Sequence, residues 1–133
     1  MSIELAPLRN ALQSLGRGMT RHRLDRLDEE LRDACIQRFE YCFELSWKML
    51  KRQIEAETGN TAEVDGYSKR TLFRVAAERG LIDSPETWFV YLVQRNKTSH
   101  AYNAQVATEL AAILEDFFTA ASLLLTTLEN RNA

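Results

Sequence analysis

A polar segment in the last third of the chain concentrates the side chains that could act on a phosphodiester. Residues 95–102 read Arg-Asn-Lys-Thr-Ser-His-Ala-Tyr. An arginine and a histidine near one phosphodiester suffice for RNA cleavage without a metal: His100 would move the proton of the 2′-hydroxyl or of the leaving oxygen, and Arg95 would stabilise charge on the phosphoryl oxygens. We therefore identify Arg95 and His100 as the candidate catalytic pair, with a polar helix end as the alternative interpretation.

The neighbouring polar side chains could bind the substrate. Asn96, Thr98 and Ser99 could orient a phosphate through hydrogen bonds. Tyr102 could stack on a base or donate its hydroxyl. Together with the catalytic pair, these side chains make up the candidate site that the sequence predicts.

The spacing of these residues does not fit one straight helix. Arg95 and His100 differ by about 140° around an ideal helix, and His100 and Tyr102 by about 200°. A straight helix would therefore direct the three side chains apart. We expect that the helix ends or deforms between Thr98 and Asn103, that a second copy of the chain completes the site across a two-fold axis, or both.

The other reactive side chains and motifs give no sign of a second catalytic or metal-binding site. A histidine without a second ligand at suitable spacing makes a poor metal site, and the sequence contains no HExxH, Gly-x-Ser-x-Gly or glycine-rich phosphate loop. We therefore expect no metal and no other cofactor.

Cys35 and Cys42 lie on one predicted helix with Cα atoms about 10.5 Å apart, which is too far for a disulfide. We interpret both as small core residues.

The composition indicates one all-helical domain over residues 1–133. A 45% hydrophobic content is enough for one core, and five glycines and two prolines are too few for a fold with many tight turns. The net charge of −2 would not attract a polyanion to the whole molecule, so any RNA contact must be local. Because no run of about 18 apolar residues occurs, we expect a cytoplasmic protein without membrane contact.

Apolar periodicity predicts two amphipathic helices in the first half of the chain. The first ends at Gly16 and Gly18. The second is a long central helix from about Leu24 to Glu57, after which a polar loop runs to Gly66. The residues expected on the apolar stripes of these two helices include Leu5, Leu8, Leu12, Leu15, Leu24, Leu27, Leu31, Ile36, Phe39, Phe43, Trp47, Leu50 and Ile54.

Three more helices are predicted in the second half. A shorter one begins at Ser68 and closes at Gly80. The next begins at Ser84 with a proline at its first position and extends to His100. In the last helix, apolar residues are spaced alternately four and three apart, at Leu110, Leu114, Phe117, Ala121, Leu124 and Leu128. We therefore expect an all-α, up-and-down bundle of four main helices and one shorter helix.

The motifs of this sequence resemble those of the HEPN superfamily. The segment Arg-Asn-x-Thr-Ser-His-x-Tyr at 95–102 carries the resemblance together with Glu-Leu-Ser-Trp-Lys at 44–48. Within the superfamily, the chain is most similar to the HepT toxins, also known as nucleotidyltransferase substrate-binding proteins. Further matching positions are Arg-Phe-Glu at 38–40, Trp88, Tyr91-Leu92, the segment 69–74 and Gly-Leu-Ile at 80–82.

The resemblance implies a fold, an activity and a partner. The family fold is a helical bundle that forms a homodimer and brings two arginine–histidine pairs into one cleft. By this resemblance, Arg95 and His100 are the ribonuclease pair, Asn96 is the polar neighbour of the arginine, and Tyr102 is the residue that a partner nucleotidyltransferase adenylylates.

Two functions and a third, structural interpretation stay open at this point. The first is a metal-independent endoribonuclease toxin of a two-gene toxin–antitoxin system, acting on RNA such as tRNA and neutralised by a cognate minimal nucleotidyltransferase. The second is a non-catalytic subunit that presents substrate or nucleotide to a nucleotidyltransferase, with Arg95 and His100 gripping phosphate. The third is a helical dimer whose polar segment is only a helix terminus.

Overall fold

The computed structural model describes residues 3–133 and consists of helices, with no strand in that part of the chain. The predicted all-α class is therefore confirmed. The seven α-helices of this range are α1 (Ala6–Leu24), α2 (Glu29–Thr58), α3 (Thr61–Asp65), α4 (Lys69–Glu78), α5 (Pro85–Asn96), α6 (Ala104–Ala112) and α7 (Leu114–Arg131), and a 3₁₀ turn at Thr98–His100 joins α5 to α6.

The central helix α2 organises the bundle, because it contacts α1, α3, α4, α5, α6 and α7. Its apolar face contributes Phe39 and Phe43 to a cluster of aromatic rings. The ring centroids of Phe39 and Phe117 are 4.8 Å apart, and those of Tyr91 and Phe117 are 5.1 Å apart, both edge-on. This geometry is favourable for aromatic pairs, so the cluster fixes α5 and α7 against α2.

The first helix is longer than predicted, because α1 continues through Gly16 and Gly18 to Leu24. A Cβ at Gly18 would lie 3.1 Å from Cys35 Sγ, and one at Gly16 would lie 3.2 Å from the ring of Phe118. The prediction that these glycines end the helix was therefore wrong. Both permit close packing against neighbouring helices instead.

The start of the central helix was also predicted wrongly. Leu24 and Leu27 are 85% and 93% exposed, so they do not belong to its buried stripe. The helix begins at Glu29, and the carboxylate of Asp28 accepts hydrogen bonds from the Glu30 and Leu31 backbone N–H groups. This cap determines where the helix starts, because it satisfies two donors that have no partner within the helix.

Two connections differ from the prediction. Residues 61–65, expected in a polar loop, form α3, whose first turn is capped by the Asn60 side chain. The predicted last helix consists of α6 and α7, which bend by 43° about Ile113. Its predicted core residues are nevertheless all buried, at Leu110, Leu114, Phe117, Ala121, Leu124 and Leu128.

Over residues 3–133 no single helix is long and apolar enough to cross a membrane. The pair α6 and α7 meets the length and composition criteria only when it is taken together across its bend.

Candidate functional site

The helix α5 carries Arg95 in its last turn and is fixed at both ends. Ser84 Oγ accepts a hydrogen bond from the Thr87 backbone N–H at the N-terminus, with Pro85 as the first helical residue. Buried Trp88 and Tyr91 lie about two turns and one turn before Arg95, respectively, on the same side of the helix. The site therefore stands on an element that is packed into the core.

A buried tyrosine ties α5 to α7. The Tyr91 hydroxyl donates a hydrogen bond of 2.7 Å to Asp116 Oδ2. Burial, assisted by this hydrogen bond and by the carboxylate charge, raises the pKa of Tyr91 well above its usual range. The hydroxyl therefore stays protonated and keeps donating at any physiological pH.

The guanidinium of Arg95 is held by two side chains. Its Nε donates to Glu44 Oε1 at 3.1 Å, and its Nη1 donates to Thr98 Oγ1 at 3.3 Å. The other oxygen of Glu44 accepts a hydrogen bond of 3.0 Å from Trp47 Nε1. The side chain of Arg95 is still 31% exposed, so a ligand can reach it while its orientation stays defined.

Thr98 is committed to the protein rather than open to a ligand. Its side chain is buried, and its hydroxyl donates a 2.8 Å hydrogen bond to the Arg95 carbonyl while it accepts from the Arg95 guanidinium. Asn96 and Ser99 differ from Thr98 because both are exposed. Of the predicted phosphate-binding residues, Thr98 therefore acts on the conformation of Arg95, and Asn96 and Ser99 face solvent.

The expected break in the helix is present, slightly earlier than predicted. The α-helix ends at Asn96, and the 3₁₀ turn follows, with the His100 backbone N–H donating to the Lys97 carbonyl at 2.9 Å. Asn103 then caps α6 by accepting from the backbone N–H groups of Gln105 and Val106. The turn projects His100 into solvent between two capped helices.

His100 and Tyr102 are brought together on this surface. Their ring centroids are 6.2 Å apart with an interplanar angle of 65°, and Tyr102 is 86% exposed. In the described chain, no hydrogen bond joins His100 to Arg95. One chain thus presents the predicted residues on an open surface, with Arg95 held in place and His100 free to meet a ligand.

Glu44 and Trp47 are the site residues that the spacing argument did not identify. Both belong to the Glu-Leu-Ser-Trp-Lys motif, but no role followed from the sequence. The available signal was their separation of three residues on a helix, which places a carboxylate beside an indole N–H on one face. Their contact with Arg95 spans 51 residues of sequence and could not be derived from local patterns.

The two cysteines are free and fully buried, as predicted. Burial raises the pKa of Cys42 to about 12. It also raises the pKa of Cys35, although Arg38 opposes the shift. Neither thiol is therefore ionised near neutral pH. Within residues 3–133, no group of three histidine, cysteine or acidic residues could hold a metal ion.

Three comparisons relate this chain to known proteins. The family model described as nucleotidyltransferase substrate binding protein like matches residues 3–130. A Haemophilus influenzae protein named probable ribonuclease HepT is 39% identical over 97 residues, which cover 73% of this chain and 66% of that protein. The chain thus aligns with just under two thirds of this relative's length.

Solved structures share the fold. A Haemophilus influenzae structure, described as revealing the fold of a substrate binding domain of a nucleotidyltransferase, has a TM-score of 0.88 and 32% identity, and covers 95% of this chain and 99% of its own. A Thermus thermophilus crystal structure has a TM-score of 0.79 and 29% identity, and covers 91% of this chain and 98% of its own. The resemblance found in the sequence is thereby confirmed, and this chain belongs to the nucleotidyltransferase substrate binding protein-like family.

Proposed function

We propose that this chain is a metal-independent endoribonuclease, the toxin of a two-gene system whose partner is a minimal nucleotidyltransferase. One observation carries the proposal: a fixed arginine in the last turn of α5 is followed, five residues later, by a solvent-facing histidine at the end of the 3₁₀ turn. The name of the Haemophilus influenzae relative, probable ribonuclease, supports the same activity. RNA, with tRNA as the class to test first, is the proposed substrate, and the cytoplasm is the proposed location.

In the proposed reaction, the phosphoryl group of the RNA backbone is transferred from the 5′-oxygen of one nucleotide to the 2′-oxygen of the nucleotide before it. His100 accepts the proton of the 2′-hydroxyl as the 2′-oxygen bonds to phosphorus, and the bond from phosphorus to the 5′-oxygen breaks. The leaving 5′-oxygen takes up a proton, and the other product end is a 2′,3′-cyclic phosphate. Arg95 stabilises the charge on the phosphoryl oxygens, and exposed Asn96 and Ser99 bind the phosphate from the side.

The reaction supports a homodimer as the active form. One imidazole cannot act as general base and general acid in the same step, so His100 of a second copy would protonate the leaving oxygen. We propose that this copy packs on α5, where the apolar Val90 and Val93 are 50% and 39% exposed. Light scattering at micromolar concentration should therefore give twice the chain mass of 15.3 kDa. A monomer mass would remove the dimer from the proposal.

Expression without a partner separates the two candidate functions. A ribonuclease toxin arrests the growth of a bacterial host, and His100→Ala abolishes the arrest because the general base is lost. A subunit that only presents substrate to a nucleotidyltransferase arrests nothing. Parental growth during expression of the intact chain would therefore favour the second function, which the family description and the Haemophilus influenzae structure support.

We also propose Tyr102 as the point of control by the nucleotidyltransferase. The hydroxyl is accessible, since the side chain is 86% exposed, and the ring lies beside His100. An AMP group on this oxygen would add an anion and a purine where the RNA phosphate must bind, so like charge and bulk would exclude the substrate.

Intact mass after co-expression with the proposed partner, a minimal nucleotidyltransferase, tests this control. The proposal requires one or more AMP additions that disappear in Tyr102→Phe. Additions that persist in Tyr102→Phe, or an unchanged mass, would remove Tyr102 as the switch.

A further inference from the structure

We propose that a basic surface on α2, α4 and α5 binds the RNA backbone beside the cleavage site. This inference rests on the proposed ribonuclease function and assigns part of its substrate contact. This surface, the basic–aromatic cluster, combines four cations with two partly exposed aromatic rings. Its members are Trp47, Lys48, Lys69, Arg70, Arg74 and Phe89.

Cations lie over both rings. Lys69 Nζ is 4.7 Å from the ring centroid of Trp47, and Lys48 Nζ is 5.8 Å from it. The guanidinium carbons of Arg70 and Arg74 lie 4.8 and 5.2 Å from the ring centroid of Phe89. These distances are within the range of cation–π attraction, so the cations are gathered over the rings.

The cluster carries positive charge that no carboxylate neutralises. Over residues 3–133, none of its four cations forms an ion pair. Other cations of that range are unpaired too, but these four are distinguished because they lie over two aromatic rings. Along α4 the first acidic residue is Glu78, and no ion pair joins it to Arg74. In a chain of net charge −2 this is a local positive surface, as a polyanion contact would require.

The cluster is continuous with the candidate site. Glu44 accepts from Arg95 Nε with one oxygen and from Trp47 Nε1 with the other, so one carboxylate connects the proposed catalytic arginine to a ring of the cluster. The cluster therefore adjoins Arg95 at its Trp47 end, where Lys69 lies over the ring. A strand with one phosphate at Arg95 would have the next phosphates within reach of Lys69.

The chemistry of the cluster fits RNA better than an acidic protein. Lysine and arginine neutralise phosphates along a strand, and this charge contact supplies most of the sequence-independent affinity for a nucleic acid. The cluster itself offers half-buried rings covered by cations rather than the large exposed apolar side chains that anchor most protein partners. We therefore assign the surface to nucleic acid.

Binding of fluorescently labelled tRNA tests the assignment, measured by anisotropy in a His100→Ala background that cannot cleave it. The triple variant Lys69→Gln, Arg70→Gln and Arg74→Gln should bind about 10-fold more weakly or worse at moderate salt. The slope of log affinity against log salt should become shallower by about 2, because three phosphate contacts to a single strand are lost.

A matched control removes the same charge elsewhere. Arg17, Arg21 and Arg26 are exposed and form no ion pair in the described chain, so changing all three to glutamine should leave the salt slope unchanged. Arg70→Lys with Arg74→Lys keeps the charge and should bind nearly as the parent. Lys69→Gln and Arg74→Gln, made singly, should each make the salt slope shallower by about 0.7, and they keep the test decisive if the triple variant fails to fold.

The outcomes separate the two proposals. Equal weakening by both glutamine triples would overturn the assignment of this surface while leaving the ribonuclease proposal intact. A His100→Ala parent that binds no RNA would overturn both. If the cluster triple binds RNA normally but no longer associates with the nucleotidyltransferase, the surface belongs to a protein partner and the inference is wrong.

Discussion

Replacing Glu44 with glutamine tests whether the fixed orientation of Arg95 matters for catalysis. Glutamine keeps one oxygen and adds an NH₂ group, so it can accept from Arg95 or from Trp47 but not from both as the carboxylate does. The Arg95–Glu44 pair is 31% and 32% exposed, so its loss should lower the free energy of unfolding by about 1 kcal/mol at most. Catalysis should suffer more, because a misplacement of about 1 Å can cost on the order of 100-fold in rate.

We expect kcat for RNA cleavage by Glu44→Gln to fall about 10- to 100-fold, because Arg95 is no longer held in one orientation. KM should not rise, because Arg95 keeps its positive charge and no carboxylate neutralises it. Single-turnover cleavage of tRNA and thermal melting of the same samples measure the two effects. Glu40→Gln is the matched control, since Glu40 lies one turn earlier on α2 and makes no side-chain hydrogen bond or ion pair over residues 3–133. Parental kcat in Glu44→Gln, or an equal loss in Glu40→Gln, would refute the role given to the pair.

Three further predictions concern the scaffold. Cys35 and Cys42 should not react with iodoacetamide at pH 8 until the protein is unfolded, because burial raises both thiol pKa values; mass spectrometry reports the adducts. Burial opposes ionisation of Glu57, but hydrogen bonds from Gln53 and two arginines outweigh it and hold its pKa below the ordinary 4.5. The contribution of Glu57 to the free energy of unfolding is therefore complete above pH 4.5 and is lost as the pH falls below that value. In urea unfolding, the difference in stability between the parent and Glu57→Gln should shrink over the same pH range. Gly18→Ala should lower the free energy of unfolding by about 1 kcal/mol, because crowding against α2 outweighs the gain in helix propensity.

Periodicity predicted the helices well where one face is buried. The stripe from Leu110 to Leu128 is buried as expected, because an apolar face at helical spacing needs only a neighbouring helix to cover it. Helix ends were predicted less well. Leu24 and Leu27 matched the stripe by type and spacing, yet α2 begins only after the Asp28 cap, and Leu24 is the last residue of α1.

The candidate site was predictable as a segment but not as an arrangement. The residue types at Arg95 and His100 predicted phosphodiester chemistry. Their angular separation predicted a helix break between Thr98 and Asn103, a second copy, or both, and the α-helix ends slightly earlier, at Asn96. The contact of Arg95 with Glu44 depends on how α5 packs on α2, and the inward orientation of Thr98 depends on the 3₁₀ turn. Neither could be obtained from spacing, because both are set by tertiary packing.

The central claim is tested most directly by incubating the purified protein with total tRNA in excess chelator. The intact chain should cleave tRNA, since the proposed proton transfer and charge stabilisation use protein side chains and no metal ion. His100→Ala should cleave about 10²- to 10⁴-fold more slowly, whereas His22→Ala, the same change at the other histidine, should retain the parental rate. Near-parental cleavage by His100→Ala, or no cleavage by the intact chain, would contradict the account.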